Sequence, residues 1–280
     1  VDSKILVTGA TGNVGGALAR TLVERGVPTR AVVRDPARPV PAGVEAAVGD
    51  LTDATSLRDA LAGVDGLFLM PGYADEIATE AARAGVRRIV LLSGGSVLSS
   101  APDNAVTEYM ARSEDAVRAS GLAWTFLRPV SFMTNTYEWR PQLAAGDVVR
   151  APFADVPIAT IDPADLAAVA AEALLGEGHD GRAYPLTGPE ALRPADRVAL
   201  LAEVLDRPLT FEAEPDDEAR ARMLAAMPQP YVDAFFSFFV DGTIDETTVQ
   251  PTVAEVTGRP PRTFRQWAEQ NADAFSHNAP

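Results

Sequence analysis

An apolar run, Ile5-Leu6-Val7, leads directly into Thr8-Gly9-Ala10-Thr11-Gly12-Asn13-Val14-Gly15, and an amphipathic stretch follows from Val14 to Glu24. Few folds accept that order. Gly9 permits a tight turn, Gly12 lets the backbone approach a diphosphate, and Gly15 lets a helix lie close to the sheet. Amides at the start of such a helix face outward, where the helix dipole favours an anion. Strand, glycine spacing and helix together predict a Rossmann-type α/β domain, with a dinucleotide resting on Gly9, Thr11, Gly12, Asn13, Val14 and Gly15. The plainer alternative is a tight turn that holds no ligand.

The pattern downstream agrees. Short apolar runs at Thr29–Val33, 44–48, 66–70, Arg88–Leu92 and 124–127 alternate with helical stretches at 54–61, 74–84 and 106–119. That alternation predicts a doubly wound parallel sheet with crossover helices. Beyond Pro129 it loosens. Helices are expected over 132–143 and Pro163–Leu175, and a last strand at 184–186. From Gly188 the chain reads as mostly helical, over 194–204, Asp216–Ala226, 231–240 and 263–275. The expected division is a nucleotide-binding domain over 1–187 and a smaller helical substrate lobe over 188–280, with about 130–155 contributing to the cleft.

Composition removes several kinds of chemistry. The 280 residues carry a net charge of −15, which repels nucleic-acid backbones and anionic membranes. There is no Cys, which excludes disulfides and thiolate catalysis. The two histidines are His179, in a Gly-rich turn, and His277, near the end of the chain, so a His-based metal site is not expected. Lys4 is the only lysine; every other basic side chain is Arg. No export signal or membrane span is visible, so a cytoplasmic protein is expected, as monomer or homodimer.

Several residues are placed by the Rossmann reading. Arg34 ends the second strand, where Asp or Glu would accept from a ribose 2′-hydroxyl; an Arg suits a 2′-phosphate, so NADPH/NADP+ is expected over NADH. Asp35 should point the other way along the strand. Otherwise Arg34 is a solvated surface charge; Arg38 is a weaker second candidate. Asp50 either accepts from an adenine amino group, with Leu51 against the ring, or caps the next helix, a task open equally to Asp53. Met70 and Pro71 should touch the ribose side. Pro129 to Met133, Phe132 included, should wall the nicotinamide.

These segments, with Glu114-Asp115-Ala116-Val117-Arg118-Ala119-Ser120-Gly121, Thr125-Phe126-Leu127-Arg128-Pro129 and Val256-Thr257-Gly258-Arg259-Pro260-Pro261-Arg262-Thr263-Phe264, resemble NmrA-like atypical short-chain dehydrogenases/reductases over nearly the whole chain. The resemblance implies NADP(H) and a small lobe closing a cleft. Its members include quinone and dye reductases, isoflavone-type reductases and nucleotide-sensing regulators. Most short-chain dehydrogenases use a Ser and a Tyr-x-x-x-Lys pair, in which the Lys lowers the Tyr pKa for proton transfer. Aligned on Glu114, the Tyr position falls on Val106 and the Lys position on Met110. Lys4 begins the first strand, at the end of the sheet away from the cofactor.

Ser93 remains, either to bond a substrate oxygen or to cap the turn at Gly94-Gly95. Tyr109 is the nearest substitute donor, although adjacent helix positions point about 100° apart; it reads equally as a packing tyrosine. Tyr137 is a third catalytic candidate, lining the substrate space. Phe235-Phe236-Ser237-Phe238-Phe239 reads as an apolar lid, as core, or as a dimer contact. The expectation is an NADPH-dependent oxidoreductase passing hydride to an apolar conjugated small molecule, such as a quinone, enone or polyketide-like aromatic. The alternatives are a non-catalytic NADP(H) sensor and a cofactor-assisted isomerase or cyclase.

Overall fold

In the computed structural model, which describes residues 3–275, the chain folds in the order β1 (Ile5–Val7), α1 (Asn13–Glu24), β2 (Thr29–Val33), β3 (Glu45–Val48), α2 (Arg58–Leu61), β4 (Gly66–Leu69), α3 (Ala74–Arg83), β5 (Arg88–Leu92), α4 (Ala105–Ala119) and β6 (Ala123–Pro129). It continues through α5 (Arg140–Ala145), β7 (Val148–Ala151), α6 (Pro163–Leu175), β8 (Arg182–Leu186), α7 (Pro194–Leu205), β9 (Thr210–Ala213), α8 (Asp216–Ala226), α9 (Gln229–Phe239), α10 (Thr252–Thr257) and α11 (Phe264–Gln270). His277 lies outside the described residues.

Seven parallel strands form one sheet in the order β3-β2-β1-β4-β5-β6-β8. The chain winds outward from β1 in one direction, then returns to β4 and winds in the other. Ligands of such sheets bind at that reversal, beyond the carboxyl ends of β1 and β4. One face of the sheet packs on α1 and α6 through Leu18, Leu22, Leu166 and Val169, and the other on α2, α3 and α4 through Leu61, Ile77, Ala81 and Val117. Strands buried on both faces are near-continuous apolar runs, as Ile89-Val90-Leu91-Leu92 illustrates.

Three stretches depart from the sequence reading. Residues 54–61 open as a 3-10 turn, because Asp53 accepts from the Thr55 amide and tightens the entry. Residues 132–143 divide into a 3-10 segment, Met133–Trp139, and α5, which begins where Pro141 supplies a preset φ. Residues 263–275 break at Asn271, whose side-chain amide donates to the Trp267 carbonyl and competes with the backbone. Two short strands, β7 and β9, were not anticipated; they pair in parallel as a separate ribbon in the small lobe. Around that ribbon, Trp139, Leu143, Val149, Leu201, Phe264 and Trp267 form a second core.

α10 leaves this lobe and places Val253 in the core between α6 and the sheet. The segment after it is tied to α6 by Asp165. That fully buried carboxylate accepts from Arg259 Nη1 at 2.8 Å and from the Arg262 amide at 2.6 Å. No helix of the described residues is long and apolar enough to cross a membrane. Asp165→Ala should cost about 3–5 kcal/mol, the usual penalty for stripping one partner from a buried pair. Urea denaturation measures it, and a loss below about 1 kcal/mol would contradict this role for Asp165.

Candidate functional site

At the sheet's reversal the backbone itself is the first feature. Gly9 has φ +66°, and the Gly12 amide donates back to its carbonyl at 2.9 Å. A Cβ at Gly15 would stand 2.4 Å from the Gly9 oxygen, so α1 reaches β1 only because position 15 has no side chain. Gly12 is the N-cap of α1 and supplies no side-chain acceptor. The amides of Asn13, Val14 and Gly15 therefore lack a partner one turn back, at the positive end of the helix. Thr11, Gly12 and Asn13 are exposed, while the Val14 side chain is buried. Buried Thr8 donates to the Phe68 carbonyl at 3.0 Å and accepts from the Met70 amide at 2.9 Å, locking the loop after β1 to the loop after β4. The Met70 side chain lies against Gly9. This cradle fits a diphosphate.

Beside it, the exposed Arg34 side chain forms no hydrogen bond or ion pair among the described residues. Asp35 instead accepts from the Ala37 amide at 2.9 Å, so it does not compete for the same ligand group. Asp50 accepts from the Thr52 amide and hydroxyl at 2.9 and 2.8 Å; these bonds, and the Arg34 charge, hold its carboxyl below the usual range. The helix-capping task falls to Asp53. Leu51 lines a depression of about 270 Å³ together with Gly72 and Tyr109.

Tyr109 belongs to that depression: its hydroxyl donates to the Pro71 carbonyl at 2.9 Å, and it does not line the apolar cleft. Burial raises its pKa. Tyr137 is also elsewhere. Its hydroxyl donates to Asn271 Oδ1 at 2.7 Å, and its ring packs on Trp267 and Phe275 in the small-lobe core. Neither phenol lines the apolar cleft. Ser93 does line it, but its hydroxyl donates to Glu114 Oε1 at 2.7 Å. Glu114 also accepts from Arg128 Nε and Nη2, at 2.8 and 2.7 Å, and from Arg118 Nη2 at 2.8 Å. Burial pushes this carboxyl up; the bonds from Arg128 and Ser93 and the two guanidinium charges outweigh it, and the net shift is downward. Glu114 is thus an anchored carboxylate, and the single Ser93 proton is committed to it. Lys4 pairs with Glu45 at 3.0 Å, at the amino ends of the strands.

The cleft itself has a volume of about 420 Å³ and opens beyond β5 and β6. Pro129, Val130 and Phe132 form one wall, and Val106 and Met110 another. The small lobe closes over the top with Phe153, Met223, Phe235, Phe238 and Phe239. The Phe235–Phe239 stretch is therefore both lobe packing and cleft wall. Phe153 adopts φ +56°, a left-handed conformation unusual for a bulky residue, and its ring lies 4.8 Å from that of Phe239.

Four charged residues on this surface, Glu138, Arg197, Arg222 and Glu246, were not singled out in the sequence. Arg197 lies on the apolar face of α7, in register with Pro194 and Leu201, and that misplaced charge was a legible signal. Glu246 sits in an acidic loop and gave none. It is 7% exposed, its Oε2 has no partner among the described residues, and it faces both the cleft and a smaller adjoining cavity. Asp245 fixes that loop by accepting from Thr247 and Thr248. Burial pushes the Glu246 carboxyl up to about 7.

A family described as NAD(P)H-binding matches residues 9–177. The (4-alkanoyl-5-oxo-2,5-dihydrofuran-3-yl)methyl phosphate reductase of Streptomyces griseus is 44% identical across 97% of this chain and 99% of its own. The NAD(P)H azoreductase of Xenophilus azovorans is 36% identical over 97% and 99%. The NADPH-dependent quinone oxidoreductase of Escherichia coli, solved with NADPH, superposes with a TM-score of 0.78 at 25% identity, covering 95% of this chain and 99% of that one.

Two expectations follow. Gly15→Ala should abolish calorimetric NADPH binding, since the new methyl forces α1 off β1; unchanged affinity would contradict the cradle. For Glu246, the folded state keeps its proton above pH 4.5, where the unfolded chain has lost it, so stability falls as pH rises from about 4.5 to about 7. Glu246→Gln should therefore be more stable than wild type by up to about 3 kcal/mol at pH 8, with no difference below pH 4.5. Urea titrations at both pH values measure this; parallel pH profiles would contradict it.

Proposed function

This chain belongs to the NAD(P)H-binding family, among its NmrA-like reductases, and from that premise we propose that it uses NADPH to reduce an apolar, conjugated small molecule, most closely an acyl-substituted butenolide or a quinone. The observation that carries this reading is the cleft beside Ser93 and Pro129. It is open and largely apolar, and Val106 and Met110, the positions that the family resemblance aligns with a proton-relaying Tyr and Lys, line it. An isolated ketone would become a strongly basic alkoxide there, with no phenol to protonate it. A conjugated acceptor instead spreads its charge over several atoms and accepts a proton from a weaker donor.

NADPH, when bound, supplies the hydride. The amides of Asn13, Val14 and Gly15 hold its diphosphate, Arg34 selects the 2′-phosphate, Asp50 and Leu51 take the adenine side, and Met70 and Pro71 the ribose. Pro129, Val130 and Phe132 orient the reacting face and exclude water. Glu246, whose carboxyl is pushed up to about 7, holds a proton toward the cleft near neutral pH. The reduced product takes up that proton, and solvent restores it. The 44% identical relative is named for reducing a butenolide phosphate, and the azoreductase for a conjugated nitrogen acceptor. An open cleft of this size favours turnover over the sensing alternative.

Purified protein with NADPH and a panel of quinones and acyl-butenolides should lose absorbance at the nicotinamide band; no turnover across the panel would count against the reading. Activity on an enone should fall as pH rises through about 7, and Glu246→Gln should be slower and lack that limb. Arg34→Ser should weaken NADPH binding about 10- to 100-fold while leaving NADH nearly unchanged. An unaltered NADPH/NADH ratio would remove Arg34 from the cofactor site.

A further inference from the structure

The cleft is apolar around Phe235, Phe238 and Met223, and two opposite charges border it from other elements. Glu138 belongs to the 3-10 segment after β6, and Arg197 to α7. Each is the other's opposing charge, yet no hydrogen bond or ion pair joins them among the described residues. Arg197 is 8% exposed and its Nε is enclosed, which leaves the two terminal nitrogens as its accessible donors. Glu138 is exposed, and its carboxyl accepts no hydrogen bond among the described residues. The elements that carry them are fixed. The guanidinium lies 5.2 Å from the centre of the Trp139 ring, and Trp139, the neighbour of Glu138, is buried. The start of α7 is held by Asp196, which accepts from the Arg193 amide at 2.9 Å. Arg222 attracts Glu138 from α8, but its own Nε and Nη2 are taken by Glu214, at 2.8 and 2.7 Å. The charges at this place therefore balance. What is left over is hydrogen-bonding capacity, an acceptor and a donor across one gap.

We propose that Glu138 and Arg197 together form a subsite for an uncharged hydroxyl group, whose oxygen accepts from the guanidinium and whose proton is donated to the carboxyl. The proposal rests on the reductase reading above and narrows it: the substrate is a conjugated acceptor that carries an alcohol or phenol away from its reducible atoms. A guanidinium donates and never accepts, and a carboxylate accepts and never donates, so a group that does both satisfies the pair at once. Each bond then has one charged partner, which makes it stronger than a bond between neutral groups. An anion would find the positive charge already answered by Glu138, and a cation would meet Arg197. An apolar cavity with a few placed polar groups is the usual way a site fixes the direction of a small ligand. With the hydroxyl held by this pair, the apolar body lies along Phe235, Phe238 and Met223, and the reducible carbon by Ser93 and Pro129.

Octanol, methyl octyl ether, octyl phosphate and octylamine serve as probes, titrated by calorimetry and tryptophan fluorescence with saturating NADP+ in the cofactor site. The ether accepts a hydrogen bond but cannot donate one. Octanol should bind wild type about 10-fold more tightly than the ether, and more tightly than the phosphate or the amine. The double variant Glu138→Met/Arg197→Met strips the pair without leaving either charge alone. It should bind octanol and the ether alike, and the ether as tightly as wild type does, which shows that the cleft is intact. Glu138→Met alone should turn the preference toward octyl phosphate, because the guanidinium then lacks its opposing charge. Equal binding of octanol and the ether by wild type would mean that water bridges the pair, and would overturn the subsite. So would an unchanged preference for octanol in either variant, or tighter wild-type binding of the phosphate or the amine. NADPH turnover by wild type with an unsubstituted quinone reports on the reductase reading separately, since the probe titrations need no turnover.

Discussion

The contact between the Gly9 carbonyl and position 15 sets everything else. A side chain there would collide with backbone, so α1 sits on β1 at a distance that only glycine allows. That closeness aims uncapped amides at the crevice between the loops after β1 and β4, and Thr8 binds those loops to each other. The reversal of strand order supplies the crevice, and the cradle at its floor has the geometry a diphosphate needs. The roles proposed for Arg34, Asp50 and Met70 follow from the place this turn would give a diphosphate.

The small lobe follows a different economy. Its cleft surface keeps a guanidinium and a carboxyl that are buried without a hydrogen-bond or ion-pair partner among the described residues, although the chain pairs most of its other enclosed charges. Glu114 holds two arginines, and Asp165 ties down the tail. Against that habit, Arg197 and Glu246 are exceptions, and both border the same space. Phe153, held in a left-handed conformation at its rim, is a third departure from local comfort. Strain and unsatisfied charge gathered around one cavity are the usual mark of a site shaped for a ligand.

How much of this was legible in the sequence depends on range. The turn at Gly9 to Gly15 and the strands around it are written in neighbouring residues, and period and spacing sufficed. Val148–Ala151 and Thr210–Ala213 escaped because each is short and becomes a strand only by meeting the other, far along the chain. Tyr109 and Tyr137 drew attention as phenols, yet what decides a phenol's use is its partner. Those partners, the Pro71 carbonyl and Asn271, are distant in sequence. Ser93 stands where expected, but the carboxylate that occupies its proton is on another element. Arg197 was visible as a charge on an apolar helix face, and its neighbours Trp139 and Glu138 only in three dimensions.

Val253 gives the molecule a temporal property. The helix that carries it fills the layer between α6 and the sheet, although nearly all other side chains of that core come from the first two-thirds of the chain. During synthesis the early strands and crossover helices emerge with an apolar strip still uncovered, and it remains so until α10 leaves the ribosome and swings back. Completion of the older half waits on the younger.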